Sequence, residues 1–269
     1  MSFKPMNTAD ATTAFRKTLL FAQPGWGKTT QAKHFKAHYG KGFIISGESG
    51  LSSIRSAGID YLPFTSFDGP VDPANGVWSF LAICRAMQTP EFKAAGYKWI
   101  MLDSLTELGD VIMTWASAKA ERDAAEAGKK VNGFAKYGDY GDKMIGACKW
   151  VRDLPYHVII ASLAAETENE DTGVKSIEPL VHGSKAKVQI PGIFDNVFGG
   201  VIQTTKATKE APAETKRFIV TGNYGGFKAK VRDESGAAAL VEETGNVCDV
   251  LRKIEAAEAA AIASSGVKK

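Results

Sequence analysis

The chain has 269 residues, 44% hydrophobic and 23% charged, which suits one large α/β domain with a sizeable core. A formal net charge of +3 is too small to argue for a nucleic-acid partner by itself, so any basic surface must be local. Cys84, Cys148 and Cys248 lie far apart with no C-x-x-C pair, which argues against a zinc site and reads as reduced thiols. The first 17 residues are polar and lack the apolar stretch of a leader, and no run of 18 apolar residues occurs, so we expect a cytoplasmic protein with no membrane partner.

We divide the chain into an N-terminal arm (1–17), a core (18–246) and a C-terminal helix with a polar tail (247–269). The first β-like run, 18–22, leads into Ala22-Gln23-Pro24-Gly25-Trp26-Gly27-Lys28-Thr29-Thr30 and a helical pattern over 29–39. Strand, tight loop and helix in that order make a phosphate-cradling P-loop. Pro24, Gly25, Trp26, Gly27, Lys28, Thr29 and Thr30 are therefore the predicted nucleotide-binding residues. Backbone N–H groups of residues 25–29 would face a β-phosphate from the positive end of the helix. Lys28 would reach the β- and γ-phosphates and assist the chemistry, and Thr29 would ligate Mg²⁺. The pattern G-x-x-x-x-G-K-[ST] is broken only at its first place, where Ala22 supplies the small residue needed between strand and loop. No guanine-reading N-K-x-D segment is present, which makes ATP the expected nucleotide.

The run 42–46 ends in Ser46-Gly47-Glu48, and we expect this strand beside the P-loop. A carboxylate there would orient and partly deprotonate the water that attacks the γ-phosphate. Glu48 is the candidate; the alternative is a solvated loop acid. After a helix over 77–87, the buried run 99–103 ends in Asp103, as a Walker B strand should. Asp103 would hold Mg²⁺ through water opposite Thr29, or the Asp103-Ser104 pair would cap the helix over 105–127, and the two roles are compatible.

Lys129, Lys130, Phe134, Lys136 and Tyr137 follow, interleaved with glycines. Cations track phosphates and rings stack on bases, so this stretch suits single-stranded nucleic acid. The alternative is a solvated helix end with Tyr137 and Tyr140 in the core. Beyond it we place a helix over 139–153 and strands over 157–163, 197–204 and 217–221, with exposed loops at 166–176 and 207–215. Several runs are continuously apolar, which fits a parallel sheet buried on both faces with ligands at the strands' carboxyl ends. If 227–232 is extended, Lys228, Lys230 and Arg232 share one face. Such a face is common on exposed edges. A final Ala- and Glu-rich helix covers 247–263.

The segments Ile45-Ser46-Gly47-Glu48-Ser49-Gly50-Leu51 and Leu102-Asp103-Ser104-Leu105-Thr106-Glu107-Leu108 resemble those of the RecA-fold recombinases. With the P-loop, Tyr137-Gly138-Asp139-Tyr140-Gly141-Asp142, Leu154-Pro155-Tyr156-His157-Val158-Ile159 and Pro191-Gly192-Ile193-Phe194-Asp195-Asn196-Val197, the chain more closely resembles phage-encoded RecA-like ATP-binding proteins of single-strand annealing and recombination. The resemblance spans about residues 15–235, with Ala22 and the missing acid at Ser46 as departures. It implies an α/β RecA-like P-loop NTPase with a mostly parallel twisted sheet and helices on both faces, using ATP and Mg²⁺. It implies Glu48 as the catalytic glutamate, a DNA loop at Lys129–Tyr137, and Lys228, Lys230 or Arg232 acting in trans on a neighbouring subunit's nucleotide. The implied function is a Mg-dependent ATPase acting on single-stranded DNA as a homo-oligomer in host-cell cytoplasm, with a single-strand DNA-binding protein as a possible partner. A nucleotide-switched oligomeric binding module and a helicase-like motor are the alternatives.

Overall fold

The computed structural model describes residues 15–48, 50–168, 173–206 and 212–265. Residues 1–14 of the expected arm, 169–172 and 207–211 of the two expected loops, and 266–269 of the tail lie outside the described residues.

Strand β1 (Lys17–Ala22) feeds the P-loop and helix α1 (Gln31–Tyr39). Next come β2 (Gly42–Ser46), a 3₁₀ helix over Gly50–Ala57, and β3 (Asp60–Pro63). Two short helices, α2 (Phe80–Ala86) and α3 (Pro90–Ala94), precede β4 (Trp99–Asp103). The long helices α4 (Leu105–Glu126) and α5 (Ala135–Asp153) lead to β5 (His157–Glu168) and β6 (Lys175–Pro179). Helix α6 (Ser184–Ile193), β7 (Asn196–Thr204), β8 (Thr215–Val220), β9 (Val241–Glu242) and α7 (Val247–Ser265) complete the chain.

The sheet runs β3-β2-β4-β5-β1-β7-β8-β9, with β6 paired to the far end of β5. The strands from β3 to β7 are parallel, and β8, β9 and β6 add antiparallel pairs. Because side chains alternate along a strand, each central strand feeds two cores. Leu19, Phe21, Ile100, Leu102, Val158 and Ile160 join α2, α4, α5 and α6 on one face. Leu20, Ala22, Trp99, Met101, Ile159 and Ala161 join Phe35 of α1 and Val247, Val250, Leu251 and Ile254 of α7 on the other. The C-terminal helix is thus a structural cover of the sheet, beside the P-loop helix. This is an α/β architecture: a mostly parallel sheet with helices on both faces and β5 between β1, which leads into the P-loop, and β4, which ends in Asp103.

The expected strand position of 42–46 is corrected. β2 pairs with β3 and β4, so β4 and β5 separate it from β1. The loop over 166–176 is in part a hairpin, because Glu166 and Glu168 both face Lys175 across the β5–β6 ladder at 3.2 and 3.9 Å. The helix expected from residue 77 starts at Phe80, because Val77 and Trp78 bond to Asp72 and Thr65 and Ser79 then caps the helix. Helix α5 begins four residues before the expected 139, and α6, with Pro191-Gly192 in its last turn, is a helix the sequence did not point to.

Candidate active site

The P-loop turns on two glycines in the left-handed region, Gly25 at φ +80° and Gly27 at φ +105°, where a β-carbon would be strained. Trp26 anchors the loop from inside. Its indole is fully buried and donates to the carbonyls of Val201 and Phe218, 3.1 and 3.3 Å away. A methyl on Gly200 would stand 2.7 Å from that ring, which explains the glycine there. Trp26 therefore contributes backbone to the loop while its side chain joins the core. Pro24 is exposed at the loop's crest.

The Trp26 N–H bonds to Gln23, but those of Gly25, Gly27, Lys28, Thr29 and Thr30 take part in no hydrogen bond among the described residues. They form a nest of free donors at the start of α1, the arrangement that takes an anion. Lys28 Nζ donates to the carbonyls of Ala22 (3.1 Å) and Gln23 (3.3 Å), closing the loop on itself. Burial lowers the Lys28 pKa, while Glu48 and then Asp103 pull it back up.

Thr29 and Asp103 meet directly, Oγ1 donating to Oδ2 at 2.7 Å. The helix cap that competed for Asp103 falls to its neighbour: Ser104 Oγ accepts from Glu107 N at 3.3 Å. Asp103 is thereby left facing the P-loop, 1% exposed, across a cis peptide to Ser104. Its Oδ1 is the one buried side-chain atom without a hydrogen-bond partner among the described residues. Burial pushes the carboxyl up to about 6, opposed by the Thr29 hydrogen bond, with Glu48 raising it further and Lys28 lowering it. An orphaned carboxylate oxygen beside a hydroxyl is what a hard cation would satisfy, so these two residues fit Mg²⁺.

Glu48 reaches this site through the pairing of β2 with β4, in which Ser46 lies opposite Asp103, and not through β1. The N–H groups of Gly47 and Glu48 both donate to the Asp103 carbonyl, at 2.6 and 3.3 Å, and Ser46 Oγ donates to the Glu48 carbonyl at 2.9 Å. A methyl on Gly50 would lie 3.7 Å from Thr29 Oγ1 and 4.0 Å from Glu48 Oε2, so the two oxygens share one small space. Glu107, in the first turn of α4, packs against Gly47, with its pKa raised by burial, then by Asp110 and Glu48.

Lys129, Lys130, Phe134 and Tyr137 are exposed and Lys136 is half-buried, with Phe134 at 86% exposure. Lys136 Nζ lies 5.5 Å from the Tyr137 ring. Tyr140 alone of this group is core, its hydroxyl accepting from His182 N at 3.1 Å. The segment 227–232 forms no strand, yet its alternation holds, with Ala229 buried between Lys228 and Lys230. Lys228 pairs with Glu178 at 2.8 Å and Arg232 with Asp195 at 3.0 Å, whereas Lys230 makes no ion pair among the described residues. Gln31, His34 and Arg217, which nothing in the sequence singled out, also stand around the P-loop.

Among the described residues no helix is long and apolar enough to cross a membrane. One family, described as an AAA domain, matches residues 14–232, and no curated protein matches the chain. Among solved structures, the crystal structure of flagellar accessory protein FlaH from Methanocaldococcus jannaschii is similar at 9% identity and a TM-score of 0.36, with 78% of this chain and 80% of that chain covered. A likeness at that level bears on neither activity nor partner.

Proposed function

Because this chain belongs to the AAA domain family, and so carries a nucleotide-binding P-loop ATPase domain, we propose that it hydrolyses ATP with Mg²⁺ and acts on single-stranded DNA in recombination or annealing. The observation that carries the nucleotide chemistry is the buried, unpartnered Asp103 Oδ1 beside Thr29 at the mouth of the P-loop. Thr29 and Asp103 would hold the cation, which when bound neutralises charge on the β- and γ-phosphates. The free amides of Gly25, Gly27, Lys28 and Thr29 bind the phosphate chain, and Lys28 exchanges two backbone carbonyls for phosphate oxygens. Glu48, held on the Asp103 backbone, orients the attacking water and accepts its proton.

The DNA reading is supported by the exposed cations and rings of Lys129, Lys130, Phe134 and Tyr137 and by Lys136 at the base of the same segment. Of the three cations proposed to act in trans, Lys230 is the one without an ion-pair partner among the described residues, and it is the first choice for reaching a second subunit.

Steady-state ATP hydrolysis with and without single-stranded DNA tests this. Stimulation that disappears in Lys28→Ala, with Glu48→Gln binding ATP but turning over about 10²- to 10³-fold more slowly, supports the proposal. Turnover indifferent to DNA refutes the DNA role and favours a nucleotide-switched oligomeric module.

A further inference from the structure

Gln31, the first residue of α1, is 1% exposed, and both polar atoms of its amide are engaged. Nε2 donates to the carbonyls of Gly27 (3.2 Å) and Gly245 (2.8 Å), and Oε1 accepts from Val247 N at 2.9 Å. A buried amide is held only where its partners are matched, and here the partners are the phosphate loop and the entry to the C-terminal helix.

The bond to Gly27 supplies one that the backbone does not make. Helix α1 is entered by tight pairing: Gln31 N reaches the Lys28 carbonyl at 3.1 Å, Ala32 N that of Thr29 at 3.1 Å and Lys33 N that of Thr30 at 3.0 Å. The Gly27 carbonyl thus receives no backbone N–H among the described residues, and the Gln31 side chain takes it. That carbonyl shares a planar trans peptide with the Lys28 N–H, one of the free donors of the anion nest, so fixing the one fixes the other. The remaining two bonds of Gln31 fix residues 245–247. From there α7 packs on α1: Val247, Val250, Leu251 and Ile254 share a core with Phe35, and Glu255 accepts from the Tyr39 hydroxyl at 2.8 Å.

We propose that Gln31 is a positioning residue that couples the seating of α7 to phosphate binding, so that an anion in the P-loop and a docked C-terminal helix each stabilise the other. This rests on the nucleotide-binding reading above. Held by Gly245 and Val247, Gln31 presents its amide to the Gly27 carbonyl in advance and so pre-orients the Lys28 N–H. An anion on that N–H in turn keeps the peptide where Gln31 can hold it. Such coupling is reciprocal and can be read from either end.

Amide hydrogen exchange is followed in the full chain, free and saturated with Mg·tripolyphosphate or Mg·ATP, and affinities are taken from calorimetric titration. Exchange at Val247, whose N–H lies on Gln31 Oε1, and onward through Ile254 should slow by at least about fivefold with either probe. Gln31→Leu should weaken both probes by about tenfold and cut the slowing in α7 to less than about twofold. A side chain that only fills the core would lower the melting temperature of Gln31→Leu while leaving affinity and the slowing unchanged, and that result overturns the coupling. Binding of the probes by the parent with no change in α7, a measurement that needs no variant, overturns it equally. Both results leave the P-loop reading standing, whereas failure of the parent to bind either probe overturns both.

Discussion

Replacing Asp103 with Asn separates the cost of its buried charge from the use of that charge. The carboxyl is 1% exposed and its pKa is raised from 3.8 to about 6, burial being the largest cause. At about 1.4 kcal/mol per pH unit, that displacement costs the folded metal-free protein about 3 kcal/mol whenever the group is ionised in both states. The sign follows from proton binding: between the unfolded and folded values the native state holds the extra proton, so the penalty is full above about pH 6 and vanishes as pH falls toward 4. Asp103→Asn keeps the shape and an acceptor for the Thr29 hydroxyl. With EDTA at pH 8 it should be more stable than the parent by up to about 3 kcal/mol, or about 6–10 °C in melting temperature. That advantage should shrink through pH 6 and be gone near pH 4. Added Mg·ATP should stabilise the parent and leave the variant's melting temperature nearly unchanged. A variant less stable than the parent at pH 8, or a difference that is flat from pH 4.5 to 8, would refute the argument.

His157 titrates in the opposite sense. Its pKa is lowered to about 4 by burial, so stability is lost as pH falls from about 6.5 toward 4, and His157→Phe should flatten that acid limb in urea titrations. A methyl on Gly47 would stand 2.5 Å from Phe64 Cζ and 2.8 Å from Glu107 Cβ, so Gly47→Ala should destabilise by about 1–3 kcal/mol in thermal melts and displace Glu48 enough to slow hydrolysis. Trp26→Ala empties a fully buried site and drops two indole hydrogen bonds, and should cost about 3–5 kcal/mol by denaturant unfolding, with loss of nucleotide binding as the loop loosens. Converting Lys129, Lys130 and Lys136 to Ala together should weaken single-stranded DNA binding and reduce its salt slope by about 2 in fluorescence anisotropy, with ATP affinity unchanged.

The central strands were legible because their apolar runs are uninterrupted and bounded by turns; 42–46 and 99–103 match β2 and β4 to the residue. The P-loop was legible because each of its residues answers a local demand: glycine for positive φ, lysine and threonine for phosphate and metal. Short elements carried no such signal. Strand β3 is an exposed edge of four residues, α3 is a five-residue helix, and the charges along β5–β6 read as solvated loop because ion pairs across a ladder look like loop polarity until the partner strand is known.

The sequence by itself determined the nucleotide-binding loop, the acid at the end of β4 and the parallel α/β class, since local backbone geometry and apolar periodicity are properties of adjacent residues. Tertiary structure decided which groups converge. It gave the cap of α4 to Ser104 and so left Asp103 free for Thr29, and it brought Glu48 across through the Asp103 carbonyl although β2 is not beside β1. It also put Arg217 and residues 243–246 against the P-loop through Gln31. Those pairings depend on strand order and on helices packing from far along the chain, and no short stretch of sequence contains them.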